Sequence, residues 1–159
     1  MGAVTYPHIE VSQILEQKFV CLRVNERSTA PETVEVLRTF RLLWSPGFIF
    51  LDHSGNELRR FIGYLPPAHF AAELKFVLGL VEMLRARYAS SFQWFQDAAE
   101  QARDAPVTPE ALYWAAIAAF RREGRNLEVL KQHWEEVRSL YPQSTWWTRA
   151  DVFDVTPAG

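Results

Sequence analysis

One thiol, four imidazoles and a doublet of carboxylates are the side chains through which this chain could do covalent or acid–base chemistry. Cys21 is the single cysteine. A lone thiol can be alkylated or oxidised, but it cannot run a dithiol cycle, in which one thiolate attacks and a second resolves the mixed disulfide. His8, His53, His69 and His133 have no ligand spacing among themselves or with Cys21, so the pattern points to no metal site. Glu135 and Glu136 are adjacent and leave a helix on different sides, as expected of a solvated face. No Gly-rich phosphate loop and no Ser/His/Asp signature occurs. The expectation is no catalytic residue, no metal and no cofactor.

The bulk properties narrow the partners. A formal net charge of −2 and a pI near 6.1 supply no basic face for neutralising phosphates, which argues against nucleic acid. The longest apolar stretch, Phe76 to Leu84, is half a membrane span. The N-terminus shows no basic segment followed by an apolar run, and Tyr6 stands where a myristoylation motif wants Ser or Thr. With 48% hydrophobic and 14% aromatic residues in 159, the chain has the means to bury a core, and a soluble, cytoplasmic protein is the expectation.

The elements that would position these residues follow from periodicity. Residues 8–17 carry Ile9, Ile14 and Leu15 in a short helical pattern behind Pro7. Residues 18–25, "KFVCLRVN", alternate and are rich in apolar and β-branched types, which predicts a buried strand with Cys21 shielded inside it. Ser28 or Thr29 is placed to cap a helix whose inner positions are Val34, Leu37 and Phe40. "GFIFLD", the turn "HSGN" and "ELRRFIGY" predict a β-hairpin. From Phe70 onward the period is 3.6: one helix through Leu74, Val77 and Val81, a second through Tyr88, Phe92 and Phe95, and after Pro106 and Pro109 two more, with "STWWTRADVF" a short last one.

The order helix, strand, helix, "SP" loop, hairpin, helix resembles the latter part of a thioredoxin-like domain. The residues that carry the likeness are Pro46 in "WSPGFIFLD", the Asp52-x-x-Gly55 turn and Gly63 in "FIGY", over roughly residues 4–80. The segment "PEALYWAAIAAFRREGRNLEVLKQHWEEVRSLYP" resembles a tetratricopeptide repeat, with Trp114, Ile117, Ala118, Leu130, Trp134, Val137 and Pro142 at its knob positions. These likenesses imply an α/β fold: a truncated thioredoxin-like mixed sheet with flanking helices over 1–82, and an all-α helical extension over 83–159. The front strand and the Cys-x-x-Cys of the thioredoxin family have no counterpart here, so either the lineage lost them or they lie upstream of Met1.

The resemblance directs attention to Trp44, Ser45, Pro46 and Gly47, because the family's proline shapes a groove for extended peptide chains. Trp114 and Trp134 are expected in the helical core. Trp146 and Trp147 are consecutive and cannot both face one core, so one is expected at an interface or packed back on the front part. The function implied is a non-catalytic interaction module that binds a protein partner or itself. The alternative is a thiol-disulfide oxidoreductase whose redox motif is missing from this chain. A glutathione-transferase-like arrangement is a weaker third reading, because "FIGYLPPAH" lacks the acidic-Ser pair that would hold glutathione. Losing a central strand should leave unpaired edges, which points to a twofold homodimer.

Overall fold

The computed structural model describes residues 1–2 and 4–152, which form two compact units, Met1–Phe70 and Ala71–Gly159 in chain terms. The fold is mixed α/β and rich in helix. Among the described residues there are seven helices and one two-stranded antiparallel sheet.

In the first unit, α1 (Ile9–Lys18) ends where Phe19 turns to extended backbone. α2 (Pro31–Phe40) starts with proline in its first turn, where the missing N–H is no loss. Its N-cap residue is Ala30, without a side-chain cap. The expected cap Ser28 sits two residues earlier and accepts the Ala30 N–H at 3.3 Å. α2 ends at Arg41, in the left-handed region at φ 48.

The hairpin forms as the sequence predicts, β1 (Gly47–Leu51) pairing antiparallel with β2 (Glu57–Ile62), Gly47 opposite Ile62 and Phe48 opposite Phe61. Asp52 closes its turn by accepting N–H bonds from Ser54 at 2.8 Å and Asn56 at 2.9 Å. The Asn56 side-chain amide adds a third at 3.0 Å. Phe48 stacks on Phe61 at 4.7 Å, and Phe70 reaches both rings, at 5.1 Å and 6.2 Å. Tyr6 meets Phe70 edge-on at 6.0 Å, and the Thr5 hydroxyl donates to the Leu65 carbonyl at 3.0 Å. This aromatic knot, with Val11, is the unit's core.

The predicted strand over 18–25 does not form. Lys18 is the last residue of α1, and residues 19–25 form neither helix nor strand and have no ladder partner. Cys21 is exposed rather than shielded. The reason is that a strand is made by hydrogen bonds to a neighbouring backbone, and among the described residues the only ladder is that of the hairpin. The expected mixed sheet is thus reduced to the hairpin alone.

The second unit holds most of α3 (Pro67–Leu84), then α4 (Tyr88–Gln101), α5 (Thr108–Arg122), α6 (Leu127–Leu140) and α7 (Thr145–Ala150). Its core is dense and small-grained. Ala98, Ala99, Ala111, Ala115, Ala116, Ala118 and Ala119 are buried, and Phe76, Phe95, Leu130, Trp134 and Val137 fill the spaces between. Alanine on so many sides of α5 lets both α4 and α6 come close. Thr108 Oγ1 donates to the Ala102 carbonyl at 2.6 Å, tying the α4–α5 turn, and Asn126 caps α6 by accepting from the Glu128 N–H at 3.0 Å. Phe153, at the end of the predicted last helix, lies outside the described residues.

Candidate protein-binding surface

The first unit buries few apolar side chains and displays many. Val11 and Phe70 are its buried hydrophobics, while Val4, Ile9, Val20, Leu22, Leu43 and Trp44 are all more than half exposed. Scattered exposed apolar residues are ordinary, and a concentration of them in one small unit makes its surface the candidate for a partner. α2 adds to it, for that amphipathic helix has no buried residue.

Two segments carry the most exposed of these residues. The first is 19–25. Phe19 is its anchor, edge-on to Phe50 at 5.9 Å. Val20 is fully exposed and Leu22 is 78% exposed. Cys21 and Arg23 are exposed as well, while Phe19 and Val24 are half-buried. Beside it Tyr6, Ser12, Leu15, Glu16, Phe19 and Cys21 line an open groove of about 320 Å³. Burial raises the Tyr6 phenol above its ordinary pKa, the Arg23 charge opposes that, and Cys21 adds slightly to it.

The second segment is the loop into β1. Leu43 is 83% and Trp44 71% exposed. The Ser45–Pro46 peptide bond is cis, and the Pro46 carbonyl accepts the Gly63 N–H at 2.8 Å. Gly47 has no room for a side chain, since a Cβ there would lie 2.5 Å from Leu42 Cδ2 and 3.0 Å from the Trp44 carbonyl. Gly63 sits at φ 106, which a side chain would strain. Residues 44–47 are therefore held as one turn, with the Trp44 ring turned outward.

Trp146 and Trp147 belong to the second unit. Trp146 packs on Tyr113 at 5.0 Å, under the Arg149 guanidinium at 4.3 Å. Trp147 is half-buried, and its backbone N–H goes to the Ser144 hydroxyl at 3.1 Å. Trp134 stacks flat on Tyr113 at 4.9 Å and donates Nε1–H to the Tyr113 carbonyl at 3.3 Å. Trp114 reaches Phe95 at 6.4 Å. Trp114, Trp134 and Trp146 thus belong to the helical packing.

Sequence reasoning missed Val20, Leu22 and Leu43 as surface residues. Their signal was present in the apolar types on both faces of 19–24, but it was read as burial between two layers. His53, in the hairpin turn, and the Glu135/Glu136 doublet are exposed. Among the described residues no three His, Cys, Asp or Glu side chains gather where they could hold a metal ion, and no helix is long and apolar enough to cross a membrane. No protein-family model, curated protein or solved structure matches the chain.

Proposed function

We propose that this chain is a non-catalytic interaction module which binds a protein partner or a second copy of itself, built as a thioredoxin-like scaffold followed by tetratricopeptide-like helices. The observation that carries the reading is the fully exposed Val20, beside the exposed Leu22, in a segment without a ladder partner. Unpaired edges with apolar side chains are templates for another chain. Trp44, displayed by the Ser45–Pro46–Gly47 turn, adds an aromatic of the kind that anchors interfaces. A cytoplasmic homodimer fits this reading.

The exposure of Cys21 favours a second reading, thiol-disulfide exchange in which a partner supplies the other thiol. An insulin-reduction assay with dithiothreitol separates the two. The interaction module gives no rate above a Cys21→Ser control, whereas turnover that disappears in that variant would replace it with the oxidoreductase.

A further inference from the structure

Every lysine and arginine offers an endoprotease of trypsin-like specificity a bond to cut, and backbone hydrogen bonding separates one of them from the rest. Arg23 lies in residues 20–24, which belong to neither helix nor strand and make no hydrogen bond among the described residues. Residues 20–23 are all exposed. We propose that the Arg23–Val24 bond is a processing site for an endoprotease that takes arginine, and that residues 1–23 stay seated in the first unit after the cut.

A peptide in a protease cleft is held through its main-chain N–H and C=O groups, with the arginine in an acidic specificity pocket. Backbone that is already bonded cannot be held this way without opening first. Most of the lysines and arginines lie within helices or β2. Arg27, Arg85, Arg87 and Arg125 sit in turns and use their N–H groups, donating to Asn25 Oδ1 at 3.1 Å and to the Val81, Glu82 and Phe120 carbonyls at 3.2, 2.9 and 2.7 Å. The Arg103 carbonyl accepts the Tyr141 hydroxyl at 2.9 Å. Arg41 caps α2, and Leu42 after it is packed against Gly47. Arg23 has none of these restraints, and the residue after it is not proline. The reaction is hydrolysis of the Arg23–Val24 amide. Its C–N bond breaks, the oxygen of water makes a carboxylate on Arg23, and both water protons pass to the Val24 nitrogen as an ammonium group. The first unit retains the short piece by contacts that do not cross the cut bond. Val11 is fully buried, the Thr5 hydroxyl donates to the Leu65 carbonyl at 3.0 Å, Tyr6 meets Phe48 at 6.5 Å and Phe70 at 6.0 Å, and Phe19 meets Phe50 at 5.9 Å. The cut thus divides the exposed segment and leaves the aromatic core whole.

Limited digestion of the full chain with a trace of trypsin, read by mass spectrometry and by native gel filtration, tests both parts. The first products should be residues 1–23 and 24–159, which elute together in native buffer and separate in denaturant. Arg23→Gln should slow the first cut by about tenfold or more, because cleavage at any other lysine or arginine then waits on local opening. Arg23→Lys should be cut as the parent is, a rescue that a fold defect would not give. A first cut at another residue, or an Arg23→Gln chain cut as fast as the parent, would overturn the site. Elution of residues 1–23 apart from the remainder in native buffer would overturn their retention.

Discussion

Gly79 and Phe95 share a space that admits only one side chain. A Cβ on Gly79 would lie 2.5 Å from Phe95 Cε1, closer than two carbons can sit. Phe95 is fully buried there, tilted against Phe76 at 5.4 Å. Close by, the Ser91 hydroxyl donates to the Gly79 carbonyl at 2.9 Å. The glycine thus fixes how near α3 and α4 approach.

Gly79→Ala should destabilise the chain by about 1–3 kcal/mol, the usual effect of overpacking, although alanine is the better helix former. Chemical denaturation is the measure. A variant as stable as the parent would mean that the Phe95 ring can move aside without loss.

The hairpin turn should weaken in acid. Asp52 is held below its ordinary pKa of 3.8, first by the Asn56 side-chain amide, with the Asn56 and Ser54 N–H groups adding to it. A carboxyl whose folded pKa is depressed contributes stability that is fully present above its unfolded value and is lost as pH falls through the folded one. The stability gap between the parent and Asp52→Ala should therefore be constant from neutral pH down to the ordinary aspartate range and close below it. The effect is small because the group is exposed. A gap unchanged at pH 2 would show that charge plays no part.

Cys21 should react with a thiol reagent in the native state as completely, and in the same time, as in denaturant. Protection that vanishes only on unfolding would restore the buried strand that the sequence predicts.

How much was legible can be judged element by element. The hairpin was, because Asp52 and Gly55 specify the turn locally and the flanking residues alternate. α5 and α6 were, because Trp114, Ile117, Ala118, Leu130, Trp134 and Val137 repeat at helical spacing, and Ala118, Leu130, Trp134 and Val137 are buried. Residues 19–25 were not. Their alternation reported β-propensity correctly, yet pairing depends on a second backbone that local sequence cannot register. The same gap misplaced Cys21. At the candidate surface, residues 44–47 were singled out through Pro46, whereas Val20 and Leu22 were read as core because apolar types on both faces suit a sandwiched strand as well as an uncovered one.

The uncovered segment also has a place in time. Residues 19–25 are made before the helices of the second unit. At roughly 5–20 residues per second, the second unit takes on the order of 10 s to be made. For that interval the apolar edge is on display to whatever surrounds the ribosome, including chains growing on neighbouring ribosomes of the same messenger. An exposed apolar segment is thus presented where copies are most crowded, and where it is most in need of a chaperone's cover.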